Sequence, residues 1–281
     1  MTEVAWSDAI DAYLSWLSAG GSGAATLRLR RHYLRHLSGA ASDGPWEVTP
    51  EQVTAYVASG RWAPETRKSA RSTCRSFYGW AVATSRTATD PTAGLRPVRV
   101  PAGVPKPCPE AAIRAALENA SDRDRLMLLL GATCGLRISE IARVHSRDLT
   151  ERGDGLWVRV CGKGGRTRMV PVSPPLDDLL RAEFLERRSH NSTYATGYLF
   201  GGGDDGHMTP AHVGKILKRL LGGQLSAHTL RHRFATVTYA GSADVFALQR
   251  LLGHSQPETT MRYTQLPDGA LRAGARHAAI G

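Results

Sequence analysis

The chain has 281 residues, of which 42% are hydrophobic, and 36 Lys and Arg outnumber 25 Asp and Glu to give a net charge of +11. This length predicts two domains, and the hydrophobic content argues against disorder. The excess of positive charge indicates a polyanionic partner, with nucleic acid the first candidate. No apolar run approaches the roughly 18–20 residues that span a bilayer, and the N-terminus lacks a secretory leader. Four scattered cysteines without a CxxC pair are typical of reduced thiols, so we expect a cytoplasmic protein.

Four helices are predicted in the first 85 residues. The first helix has apolar residues at helical spacing, followed by a glycine-rich break: Trp6, Ile10, Tyr13, Leu14 and Leu17. A second helix covers residues 26–37 and a fourth covers 64–83. The third begins at Thr49 as N-cap, with Pro50 at its first position and Gln52 at its third. These elements form a small all-α domain.

Positive charge is concentrated after this domain's first half. Residues 1–60 hold four Arg against six Asp and Glu, whereas residues 61–104 hold eight Lys and Arg against two acids. Such a basic stripe is either a solvated face or a DNA contact, and the charge asymmetry favours DNA. The fourth helix supplies the predicted DNA-binding residues Arg67, Lys68, Arg71 and Arg75.

A proline-rich stretch separates the two predicted domains. We place a first domain at residues 1–95, a stiff linker at 96–109 and a second domain at 110–281. The predicted fold is mainly α with a small β hairpin: an all-α first domain and a mixed α+β second domain.

The second domain opens with helices at 110–119 and after the Ser121 cap, the latter ending at Gly131 and Gly135. A short helix at 139–144 and hairpin strands at 157–161 and 167–172 follow. Beyond residue 211 we predict several helices separated by glycines, namely Gly222 with Gly223, Gly241 and Gly253.

Several residues of the second domain could act on a phosphodiester. Arg137 lies in a turn before a short helix, and Lys163 lies at the tip of the glycine-rich hairpin. His228 and Arg231, three residues apart, share one helix face. His254 follows a helix-ending signal, and Tyr263 comes nine residues later.

His228 and His232, four residues apart, could also form a metal pair. Arg231 between them would repel a cation, so we predict no metal ion.

Taken in order, these residues resemble the tyrosine recombinase (phage integrase) family. The matching motifs are Gly-Leu-Arg-x-x-Glu at 135–140, Gly-Lys-Gly with following basic residues and Val-Pro at 162–171, His-x-Leu-Arg-His at 228–232, Leu-Gly-His-Ser at 252–255, and a nucleophile segment at 258–264. The linker at 90–95 and the four-helix region also look like the family's SAM-like core-binding domain. The layout resembles the short, Xer-like form, and we expect no arm-binding domain.

The resemblance implies a role for each motif residue. Tyr263 would be the nucleophile, Lys163 the general acid, and His228 a proton acceptor or phosphate ligand. Three side chains would hold the phosphate: Arg137, Arg231 and His254. Four others would support catalysis or bind DNA: Glu140 and His232 as supporting residues, Arg166 and Arg168 on DNA.

The implied activity is site-specific recombination of double-stranded DNA at short core sites, without cofactor, metal or ATP. We expect a temperate-phage integrase, acting as a homotetramer on DNA with directionality or DNA-bending factors, at the nucleoid of a bacterial host. A C-terminal tail helix at 270–279 would couple protomers. The alternatives are an Xer-type recombinase that resolves chromosome or plasmid dimers, a type IB topoisomerase, and a catalytically silent DNA-binding regulator.

Overall fold

A computed structural model of the chain describes residues 5–41, 43–60, 62–101, 103–162, 165–189, 197–253 and 260–261, and of residues 184–189 only the backbone. The chain divides into two compact units between residues 102 and 103, which lies inside the predicted linker. Within the described residues, no helix is long and apolar enough to cross a membrane. The predicted fold class, mainly helical with a small antiparallel sheet, is confirmed.

The first unit contains the four predicted helices: α1 (Trp6–Ala19), α2 (Ala24–Ser38), α3 (Pro50–Val57) and α4 (Pro64–Ala83). Their apolar faces meet in one core, in which the rings of Tyr13, Phe77 and Trp80 pack at centroid distances between 5.4 and 5.7 Å. The start of α3 is the predicted capping box. Thr49 Oγ1 accepts a hydrogen bond from the Gln52 amide, and the Gln52 side chain accepts one from the Thr49 amide.

The second unit combines seven described α-helices with a three-stranded antiparallel sheet. In chain order these elements are α5 (Glu110–Glu118), α6 (Asp122–Thr133), α7 (Ile138–Ile141), β1 (Leu149–Arg152), β2 (Gly155–Cys161), β3 (Thr167–Pro171), α8 (Pro174–Ser189), α9 (Pro210–Leu221), α10 (Ala227–Ser242) and α11 (Val245–Leu252). The strand order is β1-β2-β3, and Val158 of β2 pairs with Val170 of β3. α6 is the central helix of this unit, because it contacts α5, α7, α8, α9 and α10.

Two predicted boundaries in this unit are wrong. Gly131 lies inside α6 rather than at its end, because α10 packs so closely that a Cβ on Gly131 would lie 3.0 Å from Leu230 Cδ1. Gly241 likewise lies inside α10, which ends when Ala243 adopts a left-handed conformation. Gly131 therefore serves close packing rather than termination, whereas Gly241 has open space around it.

One strand and one α-helix were not predicted. β1 is an edge strand with largely exposed residues, so its sequence shows no apolar alternation. α8 begins at two consecutive prolines, Pro174 and Pro175, and proline at the first position of a helix is a start signal.

Candidate active site

The turn before α7 presents Arg137 at the N-terminus of that short helix. Gly135 makes this turn possible, because its φ is +62° and a Cβ there would collide with the ring of Phe234. Glu140 folds back on the turn and accepts hydrogen bonds from the Arg137 amide at 2.8 Å and from Arg137 Nη1 at 2.9 Å. The Arg137 side chain remains 40% exposed, whereas that of Glu140 is only 4% exposed.

The carboxylate of Glu140 also receives a forked pair of hydrogen bonds from β3. Arg168 Nη1 donates to Glu140 Oε1 at 2.9 Å, and Arg168 Nη2 donates to Oε2 at 2.8 Å. From α10, Arg231 Nη1 lies 3.9 Å from Oε2. We call Glu140, Arg137, Arg168 and Arg231 the Glu140 cluster. Three guanidinium groups and one carboxylate give this cluster a net charge of +2, held mostly out of water.

The charge of Glu140 is stabilised by this environment. Burial by itself would raise the pKa of the carboxyl group, but the hydrogen bonds and charge of Arg168, with those of Arg137, lower the pKa to about 2. Glu140 is therefore ionised at neutral pH and keeps the guanidinium groups at fixed positions around it.

The same arginines bind the end of α11. Arg168 Nε donates to the Leu251 carbonyl at 2.7 Å, and Arg231 Nη2 donates to the Leu252 carbonyl at 2.6 Å. Arg231 Nη1 also donates to the Gly135 carbonyl at 2.6 Å. Because the last carbonyls of a helix have no partner within the helix, two charged donors stabilise the C-terminus of α11.

The two predicted histidines of α10 lie side by side. His228 is exposed in the first turn, His232 is buried one turn later, and their ring centroids are 4.1 Å apart. Arg231 lies between them on the same helix, so α10 contributes both an exposed imidazole and a buried guanidinium. Among the described residues, no group of three or more His, Cys, Asp or Glu side chains is placed to hold a metal ion.

Three predicted catalytic residues, Lys163, His254 and Tyr263, lie outside the described residues, as does the predicted tail helix at 270–279. The structure brings Arg137 and Arg231 together around Glu140, with His228 on the helix that carries Arg231. Lys163 belongs in sequence to the connection between β2 and β3, and His254 follows Gly253, which ends α11 in a left-handed conformation with φ +64°.

The predicted DNA-binding residues of α4 differ in their surroundings. Lys68 and Arg75 are exposed, and Arg67 is half-buried. Arg71 instead donates two hydrogen bonds to the Leu95 carbonyl, from Nε at 3.3 Å and from Nη2 at 2.7 Å. Arg71 therefore also anchors the segment that follows the four helices.

The two predicted DNA-binding residues of the hairpin differ as well. Arg166 is exposed, but the Arg168 side chain is 9% exposed and its guanidinium faces Glu140 and Leu251. This inward orientation was not predicted from the sequence. Strand alternation could have revealed it, because Arg168 shares a face of β3 with Val170, which is fully buried in the core.

Known proteins are similar to this chain in sequence. The phage integrase family profile matches residues 109–269. The chain is 36% identical over 214 residues to tyrosine recombinase XerC of Xanthomonas campestris pv. campestris, covering 73% of this chain and 65% of that relative, slightly less than two thirds of its length. It is 33% identical over 222 residues to XerC of Myxococcus xanthus, covering 73% and 72% of the two chains.

Solved structures share the fold. XerH site-specific recombinase bound to palindromic difH substrate aligns with a TM-score of 0.72 and 19% identity, covering 91% of this chain and 80% of that chain. A lambda integrase dimer bound to a COC′ core site aligns with a TM-score of 0.71 and 17% identity, covering 92% and 77%. At these identities the likeness concerns the fold.

Proposed function

Because this chain belongs to the phage integrase family of tyrosine recombinases, we propose that it is a site-specific DNA recombinase that cleaves and rejoins DNA through a covalent 3′-phosphotyrosine. The observation that carries this proposal is the Glu140 cluster, a largely buried site with net positive charge. Such a site favours an anion whose charge grows during reaction, as the charge on a phosphodiester does during attack by a nucleophile.

Tyr263 is the proposed nucleophile. Its phenol oxygen bonds to phosphorus while the bond from phosphorus to the 5′ oxygen breaks, which leaves the 3′ phosphate on the tyrosine. A phenol has a reference pKa of about 10, so attack at neutral pH requires a proton acceptor or nearby positive charge. Rejoining reverses these bond changes. The bond energy stays in the phosphotyrosine, so cleavage and rejoining together consume no ATP.

Arg137 and Arg231 are the proposed phosphate ligands, together with His254. Arg137 is suited to direct contact, because its side chain is 40% exposed while Glu140 holds one end of it. Arg231 lies deeper, and the Gly135 and Leu252 carbonyls fix its guanidinium plane. A guanidinium remains charged at any working pH and donates in fixed directions.

Proton transfer is assigned to two side chains. Lys163 protonates the departing 5′ oxygen, and His228 accepts the tyrosine proton or binds the phosphate. The exposed position of His228 in the first turn of α10 supports a role at the DNA, whereas the buried His232 supports its neighbour by packing against the ring.

DNA binding is assigned to both units, with residues 1–95 as the core-binding domain and 110–281 as the catalytic domain. Exposure favours three of the predicted contacts for phosphate binding: Lys68, Arg75 and Arg166. Each would neutralise one phosphate, and each such contact makes the negative slope of log K against log salt steeper by about 0.9.

At a finer level, we propose that the chain acts as a homotetramer that integrates and excises DNA at short core sites, as a temperate-phage integrase. A second candidate is Xer-type resolution of chromosome or plasmid dimers, because the chain has XerC recombinases among its relatives. A silent regulator and a type IB topoisomerase have no such observation in their favour.

The proposed activity is tested in two stages. Tyr263→Phe protein, which would bind without cleaving, first selects duplexes from a random library. The enriched inverted repeat is then made as a nicked suicide substrate. Wild-type protein should form a complex that survives SDS, and Tyr263→Phe should form none while binding with unchanged Kd. If no site is enriched, or if Tyr263→Phe still forms the covalent complex, the proposed function or nucleophile is wrong.

The choice between the two recombinase roles needs a different substrate. The first plasmid carries two identical selected sites in direct repeat. The second plasmid carries one selected site and a non-identical partner site taken from a host genomic library. An Xer-type protein resolves the first plasmid, whereas an integrase joins the non-identical pair. Exclusive resolution of identical sites would contradict the integrase assignment.

A further inference from the structure

We propose that Arg168 is a positioning residue for strand cleavage. Its single guanidinium holds both the Glu140 carboxylate, which anchors Arg137, and the carbonyl end of α11. The inference rests on the proposed function, but it assigns Arg168 to the active-site framework rather than to DNA.

Three nitrogen atoms of Arg168 donate hydrogen bonds to partners inside the second unit. Nη1 and Nη2 fork onto the two oxygens of Glu140, and Nε binds the Leu251 carbonyl at 2.7 Å. Because the guanidinium is planar, these three bonds fix the carboxylate and the carbonyl relative to each other. With a side chain only 9% exposed, Arg168 is poorly placed to reach a phosphate in solvent.

The fork also determines how Glu140 holds Arg137. Each Glu140 oxygen accepts one hydrogen bond from Arg168 and one from Arg137, on Oε1 from the Arg137 side chain and on Oε2 from its amide. The orientation of the carboxylate therefore sets the direction of the Arg137 side chain. Without Arg168, the carboxylate can rotate, and the Arg137 side chain is no longer held in a fixed direction.

The third bond connects this framework to the next motif. The Leu251 carbonyl is among the last of α11, and the chain turns at Gly253 before continuing to His254. A Cβ on Gly253 would lie 3.0 Å from Arg168 Cδ, so the turn packs directly on the arginine side chain. Arg168 therefore holds in place the end of α11, from which the chain continues to His254, the third proposed phosphate ligand.

Lysine cannot replace this arrangement. Its ammonium is a point charge that cannot fork onto both carboxylate oxygens while also binding a carbonyl along a third fixed direction. Arg168→Lys keeps the buried positive charge opposite Glu140 and removes the geometry, so it separates positioning from charge compensation.

The test compares Arg168→Lys and Arg168→Met with Arg159→Met, a matched control. Arg159 lies on the neighbouring strand β2, is 50% exposed and pairs with Asp148 away from the cluster.

For each protein, Kd for the selected duplex is measured by fluorescence anisotropy, and the rate of covalent complex formation is measured in a single turnover at saturating protein. Both Arg168 variants should cleave roughly 10- to 100-fold more slowly, with Kd within about twofold of wild type. Arg159→Met should change neither quantity.

A pH profile provides a readout that a general loss of packing would not produce. Glu140 is faced by Arg137 from its own turn, Arg168 from β3 and Arg231 from α10. Removing Arg168 leaves the buried carboxylate with less positive charge, so it takes up a proton at a higher pH and releases Arg137. The cleavage rate of Arg168→Met should therefore fall more steeply than that of wild type as the pH is lowered. Adding Glu140→Gln should remove this extra fall.

The outcomes are distinct. If wild-type protein forms no covalent complex, the proposed function fails and this inference fails with it. If wild type cleaves and either Arg168 variant matches its rate, only the inference is overturned. It is also overturned if the variants cleave normally at saturation but bind with weaker Kd and a smaller salt slope, the result for a phosphate contact. Should Arg168→Met not fold, as shown by a lost far-UV circular dichroism spectrum, Arg168→Lys decides between these results.

Discussion

Replacing Glu140 by Gln tests how strongly the buried carboxylate stabilises the second unit. The pKa of Glu140 falls from an ordinary value of 4.5 to about 2 in the folded protein. One pKa unit corresponds to about 1.4 kcal/mol, so this difference of about 2.5 contributes about 3 kcal/mol to folding above the unfolded pKa. The Glu140→Gln variant should therefore be less stable by about 3 kcal/mol at pH 7, because an amide carries no charge to set against three guanidinium groups.

The sign of the pH dependence follows from the lowered pKa. The stabilising contribution is complete above about pH 4.5 and is lost as the pH falls toward 2, so the difference between wild type and Glu140→Gln should shrink over that window. Urea unfolding followed by far-UV circular dichroism at several pH values measures this difference. The transition of the second unit is the one that Leu130→Ala shifts, because Leu130 is fully buried in that unit's core.

Glu151→Gln is the matched control, since Glu151 is 61% exposed and its pair with Arg181 lies at the surface. Its effect on the free energy of unfolding should stay within about 0.5 kcal/mol. A difference below about 1 kcal/mol for Glu140→Gln at pH 7, or one that is unchanged between pH 6 and pH 3, would refute the reasoning about the cluster.

Three further predictions concern the backbone and the DNA contacts. Gly135→Ala should lower the melting temperature of the second unit, because the new side chain would combine a φ of +62° with a clash against Phe234. Gly241 has open space around it, so Gly241→Ala should instead raise the free energy of unfolding by about 0.5–1 kcal/mol. Equal effects of the two variants would contradict this. Thr49→Ala should cost about 1 kcal/mol in the first unit by removing the α3 cap, measured by urea unfolding, and an unchanged midpoint would speak against the capping box. Arg75→Ala should weaken DNA binding uniformly across sequences and reduce the salt slope by about 0.9, while an unchanged slope would remove Arg75 from the phosphate contacts.

Much of the fold could be predicted because its signals are local. Pro64 starts α4 as predicted, and the Thr49 cap starts α3, since helix ends depend on residues three or four positions apart. Gly131 shows where this reasoning fails. It resembles a helix end in sequence, but its lack of a side chain serves the contact with α10, and only the packed structure reveals that partner.

The candidate site divides in the same way. Local sequence predicts which side chains carry the chemistry, because Arg137 and Glu140 occupy one turn and His228 and Arg231 one helix face. Which arginine faces a carboxylate and which faces solvent depends on how the helices and strands pack. Arg168 meets Glu140 across 28 residues and Leu251 across 83, and such partners are chosen by packing of the whole unit rather than by neighbours in the chain. Since a buried guanidinium must satisfy its donors, those distant partners determine its role.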